Sequence, residues 1–93
     1  MRVEVLYFAN FKDVTGKDSE YLELNENTIT GLTSKIFGKY KLIRNLMWDD
    51  RIKKLKKNIS LVINDRLIQE NAIKNTKLMD GDKIAFLLPF SGG

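Results

Sequence analysis

The sequence predicts an α+β fold in which one helix packs across one face of a mixed β-sheet. Apolar and polar residues alternate near the start of the chain, as in a half-buried strand. A stripe of apolar residues at helical spacing follows between residues 29 and 40. A last apolar run, Lys83–Leu88, lies between the turn signal Asp80-Gly81 and Pro89. A helix on one face of the sheet gives each of these apolar surfaces a partner.

The first elements are two strands joined by a loop. Alternation from Val3 to Phe8 predicts the first strand, and residues 19–24 predict the second, with Leu22 and Leu24 on one face. Between them, residues 10–17 are mostly polar and predict a loop with Gly16 as its turn residue.

A helix is predicted next, with Thr28 or Thr30 as its cap, because a threonine hydroxyl can accept the free amide hydrogens of the first turn. Its apolar stripe consists of Ile29, Leu32, Ile36, Phe37 and Tyr40. Helical spacing resumes in residues 42–47. Residues 51–57, where Ile52 and Leu55 stand among five basic residues, are predicted to be helical at least in part.

The second half of the chain predicts three more strands. Residues 60–64 and 66–68 form a hairpin, because Asn64 and Asp65 both tolerate a left-handed backbone. Residues 70–79 are predicted to be irregular, and residues 83–88 form the last strand. If the first and last strands are neighbours, they are parallel and central, which suits their apolar residues on both faces.

Length and composition limit both the number of domains and the reactive groups that the chain can offer. A chain of 93 residues is expected to form a single domain, 1–93, with residues 89–93 as a C-terminal tail. Cysteine and histidine are both absent, so no thiol nucleophile, imidazole base or zinc cluster is available, and no metal site is predicted. Any chemistry must come from a serine, a carboxylate, a lysine or a chain terminus.

The net charge of +4 comes from one segment. Residues 35–57 contain nine basic and two acidic residues, whereas residues 1–34 contain three basic and six acidic ones. A solvated face explains this segment better than nucleic-acid binding, because no nucleic-acid motif accompanies it. Glu4 interrupts any signal-peptide core, and no apolar run approaches the roughly 20 residues that span a membrane, so a cytoplasmic location is expected.

Three stretches resemble the MoaD family of ubiquitin-like sulfur carriers, the small subunits of molybdopterin synthase, within the MoaD/ThiS superfamily. They are Val5-Leu6-Tyr7-Phe8-Ala9 through Gly16, Val62-Ile63-Asn64-Asp65-Arg66, and the segment from Asp80-Gly81-Asp82 through the strand and Pro89 to Gly92-Gly93. With the helix entry at Thr28-Ile29 they cover nearly the whole chain; residues 40–59 and 69–77 align loosely. The resemblance implies a β-grasp, ubiquitin-like fold with a flexible diglycine tail.

The resemblance also implies a function, in which the chain is a non-catalytic subunit and its own C-terminus reacts. An adenylyltransferase of the ubiquitin-activating type (MoeB-like), using ATP and Mg, would adenylate the carboxylate of Gly93. A sulfur donor would then convert the adenylate into a thiocarboxylate. Docked on the MoaE-like large subunit, the tail would donate sulfur to precursor Z in molybdenum or tungsten cofactor biosynthesis. The chain itself is expected to bind no cofactor.

The expected site therefore lies at the tail. Gly92 and Gly93 lack a β-carbon, so a phosphate and an attacking sulfur can approach closely. Five extended residues beyond Leu88 reach roughly 17 Å, enough to enter a partner's site. The resemblance assigns partner contacts to Phe8, Leu67 and Leu87, and the tail adds Pro89, Phe90 and Ser91.

An apolar docking patch is also expected beside the tail. The residues assigned to the sheet face opposite the core are Leu6, Phe8, Ala85 and Leu87. The alternative is that loops or the segment 40–59 cover this face.

Other functions remain open at this level. A protein modifier would attach the same glycine to lysines, and a carrier for thiamine or for tRNA thiolation would use the same thiocarboxylate. Thiamine-type carriers are shorter and lack the long segment 40–59, and the ending Pro89-Phe90-Ser91-Gly92-Gly93 favours the synthase subunit over them. The ending does not separate the subunit from a modifier, because both use one activated glycine. Nucleic-acid binding rests on charge alone and is not expected, and neither is a membrane partner.

Overall fold

The computed structural model describes residues 1–88 and contains a five-stranded sheet with helices on one side. The strands of this sheet are β1 (Arg2–Leu6), β2 (Ser19–Glu23), β5 (Ser60–Ile63), β6 (Arg66–Ile68) and β7 (Lys83–Leu87). The helices are α1 (Asn10–Thr15), α2 (Ile29–Lys39) and α3 (Lys41–Met47). A two-stranded ribbon, β3 (Trp48–Asp49) with β4 (Lys54–Leu55), and a 3-10 helix, Glu70–Asn75, complete the order.

The sheet order is β2-β1-β7-β5-β6, so the first and last strands are central neighbours, as the sequence predicts. β1 and β7 are parallel, with Val5 opposite Ile84, and the other three pairings are antiparallel. This mixed sheet with α2 packed across it is the β-grasp arrangement, and the predicted fold is confirmed.

The core lies between the sheet and the helices. Val3 and Val5 on β1, and Ile84 on β7, are completely shielded from solvent, as is Leu32 on α2. Thr28 caps α2 by accepting a hydrogen bond from the amide of Gly31, 3.0 Å away. The predicted cap and the predicted apolar stripe are therefore both confirmed in the structure.

The predicted polar loop over residues 10–17 is wrong, because six of these residues form α1. Phe11 is buried in the core and Val14 packs against it, so one apolar edge is enough to hold a short helix. Gly16 ends the helix at φ 72°, a left-handed conformation that favours glycine, so its role as turn residue is confirmed.

The helix predicted over residues 51–57 is also wrong, whereas the helical spacing of residues 42–47 corresponds to α3. After α3 the chain turns back through the β3–β4 ribbon, in which Trp48 pairs with Leu55. Asp49 accepts a hydrogen bond from the backbone amide of Arg51 (2.9 Å), and Lys53 adopts φ 57°, so the backbone cannot continue as a helix.

The predicted turn between β5 and β6 is confirmed. Asn64 and Asp65 both have positive φ, 50° and 68°, and connect β5 to β6. The prediction that residues 70–79 are irregular is wrong for Glu70–Asn75, which form the 3-10 helix; none of these residues is buried, so no apolar stripe marks the helix in the sequence. No helix within residues 1–88 is long and apolar enough to cross a membrane. The single domain and the cytoplasmic location stay predictions.

Candidate functional site

The predicted tail begins where the structural description ends. β7 ends at Leu87, and Leu88 packs partly against the core. Pro89, Phe90, Ser91, Gly92 and Gly93 lie outside the described residues, so their roles stay predictions. What the structure describes is the surface from which this segment continues.

The sheet face opposite the helices carries an apolar strip. The register places Leu6, Ala85 and Val62 side by side across β1, β7 and β5, and Leu67 of β6 opposite Val62. Leu67 is 62% exposed, so neither the loops nor the segment 40–59 covers it, and Leu6, Val62 and Leu87 are half-buried. We call Leu6, Val62, Leu67, Ala85 and Leu87, together with Phe8, the apolar strip.

Two members of the strip differ from the sequence-based expectation. Ala85 was expected to be exposed but is only 6% exposed, because its small side chain lies between Leu6 and Val62. Val62 is missing from the predicted docking patch, although the alternation of Leu61, Val62 and Ile63 indicates that it faces away from the core. Leu61 and Ile63 point into the core, so Val62 must face outward.

Phe8 is presented at a tight corner after β1. Its side chain is 51% exposed, whereas Phe11, three residues later, is buried. The carbonyl of Phe8 accepts a hydrogen bond from the amide of Phe11 (3.0 Å), and Ala9 adopts φ 50° and ψ −124°. A non-glycine residue rarely takes this conformation, so the burial of Phe11 holds Phe8 outward at a cost in backbone strain.

The sheet face opposite the helices is charged at one end and apolar at the other. At the start of β1 and β7, Glu4 is opposite Lys83, and the guanidinium of Arg2 lies 4.9 Å from the ring centre of Tyr21. The apolar strip occupies the other end, where β7 runs toward residue 89. A partner that binds the strip therefore also approaches the tail.

A buried polar cluster supports this end of the sheet from the helix side. The carboxylate of Glu20 accepts hydrogen bonds from the hydroxyls of Tyr7 and Tyr40, both at 2.7 Å. It also accepts from the ammonium groups of Lys17 (3.2 Å) and Lys39 (2.5 Å). The Glu20 side chain is only 8% exposed, and every buried side-chain nitrogen or oxygen in the described part of the chain has a hydrogen-bond partner.

The cluster shifts two pKa values in opposite directions. Burial raises the pKa of the Glu20 carboxyl, but the hydrogen bonds from Lys39, Tyr7, Tyr40 and Lys17 outweigh it and lower this pKa to about 2. Burial and the neighbouring carboxylate raise the pKa of Tyr7 far above its usual value. Both groups therefore keep their neutral-pH forms, an ionised glutamate and a protonated tyrosine. Sequence reasoning missed this cluster.

Two depressions and the distribution of carboxylates describe the rest of the surface. Residues 1–88 contain no group of three or more carboxylates that could hold a metal ion. A cavity bordered by Tyr7, Phe11 and Phe86 has a volume of about 10 Å³, room for no more than one water. An open depression bordered by Met1 and Thr28 has a volume of about 400 Å³.

The family comparison decides the class of protein. The model of the ThiS family matches residues 5–93, a span that includes the apolar strip and the diglycine. The chain belongs to the ThiS family. It is thus a ubiquitin-like sulfur carrier of the ThiS/MoaD type, as the resemblance implies. No curated protein matches it.

Solved structures agree on the fold. SAMP1 from Haloferax volcanii has a TM-score of 0.85 at 19% identity, with 100% of both chains covered. The small archaeal modifier protein 1 from Methanosarcina acetivorans has a TM-score of 0.81 at 26% identity, covering 99% of this ThiS-family chain and 96% of its own. A complex of subunits 1 and 2 of the molybdopterin-converting factor from Helicobacter pylori matches with a TM-score of 0.58 at 27% identity, with 100% of both chains covered.

Proposed function

We propose that this chain is the small subunit of a molybdopterin synthase and that its reactive group is the carboxylate of Gly93. The observation that carries the proposal is the apolar strip, which leads along β7 to the residues that precede the diglycine. An unpaired apolar surface of this kind marks a protein contact. Here it would hold the partner where the tail continues.

The chemistry follows from the poor reactivity of a free carboxylate. A carboxylate oxygen of Gly93 attacks the α-phosphorus of ATP on a MoeB-like adenylyltransferase with Mg, and pyrophosphate leaves. Sulfide (HS⁻) from a donor system then attacks the carbonyl carbon and AMP leaves; loss of the proton gives a thiocarboxylate on Gly93. The described residues contribute no catalytic group to these steps. They bind the partner and orient the tail.

The apolar strip would then bind a second partner. The large subunit of the synthase would bind the same face and receive the thiocarboxylate, whose sulfur passes to precursor Z. In support, a chain of the H. pylori complex of subunits 1 and 2 of the molybdopterin-converting factor has the fold of this chain.

A reconstitution tests the proposal directly. The chain is mixed with the large subunit and adenylyltransferase of the same organism, ATP, Mg and a sulfur donor, and Gly93 is analysed by mass spectrometry. We expect one oxygen of Gly93 to be replaced by sulfur and precursor Z to be converted. The proposal fails if the thiocarboxylate does not form, or if a chain that lacks Gly93 supports the same conversion.

A matched pair of leucines tests the docking surface. Leu67 on the strip and Leu42 on α3 have the same side chain and the same 62% exposure, but they lie on opposite sides of the sheet. Leu67→Ala should weaken binding to the large subunit by roughly tenfold or more, as for a central interface residue. Leu42→Ala should leave the affinity, measured by calorimetry, unchanged. Equal effects of the two substitutions would contradict a docking site on the strip.

A protein modifier is the second candidate, and the likeness to two small archaeal modifier proteins favours it specifically. The neutral amine of a lysine would then attack the carbonyl carbon of the same Gly93 adenylate, so that an isopeptide bond forms, AMP leaves and the amine nitrogen releases a proton. Mass spectrometry of tryptic digests from the native organism distinguishes a protein modifier from a synthase subunit. Isopeptide-linked Gly93 on cellular lysines would establish the modifier function, whether or not the synthase reaction also occurs.

A further inference from the structure

The end of the sheet from which the tail continues also gathers lysines. Because β1 and β7 are parallel and their outer neighbours antiparallel, the ends of β1 and β7 meet the starts of β2 and β5. Leu6 is opposite Ser19 and Leu87 is opposite Ser60. Segments that precede Ser19 and Ser60 therefore lie beside the base of the tail.

Three lysines are fixed beside the start of β2. Lys12 on α1 forms an ion pair with Asp18 at 2.8 Å, and Lys17 and Lys39 both bind the carboxylate of Glu20. The side chains of Lys17 and Lys39 are each 45% exposed, whereas that of Glu20 is 8% exposed. An approaching surface thus meets the ammonium groups before it meets the carboxylate.

Two further lysines precede β5. The amide of Lys56 donates to the carbonyl of Met47 (2.7 Å) and its ammonium group to the carbonyl of Asn45 (2.8 Å). Lys57 is exposed and has no carboxylate partner within residues 1–88. We call Lys12, Lys17, Lys39, Lys56 and Lys57 the exit rim.

The exit rim carries a net positive charge. The five lysines of the rim outnumber the three carboxylates of the adjoining segment from α1 to β2, Asp13, Asp18 and Glu20, which leaves +2. The rim stands beside the apolar strip, so a partner that covers the strip comes within reach of the rim. Charges at the edge of an interface act mainly on the rate of association and on specificity.

We propose that the exit rim guides the tail into an adenylyltransferase whose tail-binding entrance is lined by acidic residues. The inference rests on the proposed function, since this enzyme is the partner that adenylates Gly93. A protein fits this end better than a nucleic acid does, because Leu67 and Leu87 beside the rim need an apolar surface to cover them. The rim lysines then form ion pairs around the entrance while the strip supplies the buried contact.

Two charge-matched double variants test the proposal. Lys12→Gln/Lys57→Gln removes two exposed charges from the rim, and Lys74→Gln/Lys77→Gln removes two exposed charges from the segment before β7, at the opposite end. The adenylyltransferase of the same organism is the probe. Its association rate with each chain is measured by stopped flow at low and at high salt. Lys57→Glu alone serves as a second rim variant if the double variant does not fold.

The rim variant should associate roughly threefold to tenfold more slowly at low salt, and the difference should disappear at high salt, because mobile ions screen exposed charges. The Lys74/Lys77 variant should associate at the wild-type rate. Equal rates for the two variants would overturn the proposal. A rim-dependent, salt-sensitive binding of labelled RNA, with unchanged enzyme association, would overturn it in favour of a nucleic-acid partner.

The same assay separates this inference from the proposed function. If the wild-type chain at saturating concentration shows no ATP–pyrophosphate exchange on the enzyme, the carrier function fails and the rim has no such partner. If exchange occurs but is independent of the rim and of salt, the carrier function stands and the acidic entrance is wrong.

Discussion

Glu20 shows how one carboxylate can organise several polar side chains at the edge of the core. It joins Tyr7 after β1, Lys17 before β2 and the end of α2 through Lys39 and Tyr40. Its partners lie between 3 and 20 positions away in the sequence. An alternation pattern marks the position as inward-facing but contains no information on such distant partners. The cluster therefore could not be predicted from the sequence.

Glu20→Gln should lower the free energy of unfolding at pH 7 by about 2 kcal/mol, because hydrogen bonds to a charged acceptor are lost. The folded-state pKa of Glu20, about 2, lies below its ordinary value of 4.5. The contribution of its charge is therefore complete above about pH 5 and is lost as the pH falls toward 2. Urea unfolding across this range should show wild type and variant converging.

Glu70→Gln is the control, since Glu70 is an exposed residue of the 3-10 helix. Its unfolding midpoint should follow that of the wild type at every pH. A constant gap between wild type and Glu20→Gln from pH 7 to pH 2 would contradict the role assigned to the ionised carboxylate.

Replacing each of two glycines of α2 by alanine should change the stability of the fold in opposite directions. A β-carbon at Gly31 would lie 3.0 Å from the Glu26 β-carbon and 3.3 Å from the hydroxyl oxygen of Thr28, the helix cap. Gly31→Ala should therefore destabilise the fold by about 1 to 3 kcal/mol. At Gly38 the added carbon meets nothing within 4 Å, so Gly38→Ala should stabilise by about 0.5 to 1 kcal/mol through helix propensity. Thermal unfolding measures both changes, and the same sign for both would refute the argument.

At the scale of elements, the β5–β6 turn combines backbone strain with a side-chain clamp. Asn64 and Asp65 both have positive φ. Asn64 also donates from its side-chain amide to Asp82 and accepts from the amide of Lys83, at 2.8 and 2.9 Å. These bonds tie the turn to the start of β7.

Replacing each turn residue by glycine separates these two contributions. Asp65→Gly keeps the clamp and relieves the left-handed backbone, so it should stabilise by about 0.5 to 1 kcal/mol. Asn64→Gly relieves the same strain but loses both bonds of the clamp, so it should destabilise by about 1 kcal/mol. Urea unfolding compares them. Equal stabilisation by both would mean that the clamp contributes nothing.

The elements also show which patterns predict structure and which do not. Four strands of the sheet and α2 follow from periodicity because each buries side chains on one face, whereas β6, none of whose residues is buried, follows from the turn at Asn64 and Asp65. α1 buries mainly Phe11 and half-buries Val14, too weak a pattern to distinguish it from a polar loop. Ile52 and Leu55 have helical spacing, yet Ile52 is 43% exposed at the tip of the ribbon. That spacing therefore does not reflect a buried face.

On the scale of the whole molecule, the core and the proposed docking surface lie on opposite faces of the same strands, as Val5 and Leu6 do on β1. The buried apolar cluster extends from Val3 to Phe86 and lies between the inner sheet face and the helices. The apolar strip and the exit rim lie outside it, on the other sheet face and at one end. The sequence predicted most of the strip but not the rim, because the rim depends on which chain ends the topology brings together.

This division predicts the behaviour of a chain that ends at Leu88. Because residues 3–86 supply the described buried cluster, we expect the shortened chain to unfold at the same urea concentration as the full chain. It should still bind the adenylyltransferase through the strip, yet it should show no ATP–pyrophosphate exchange because it lacks Gly93. It should therefore inhibit adenylation of the full chain competitively, with an inhibition constant close to the dissociation constant of the full chain. A lower unfolding midpoint would show that residues 89–93 stabilise the body, and a loss of binding would place the main contact in the tail rather than on the strip.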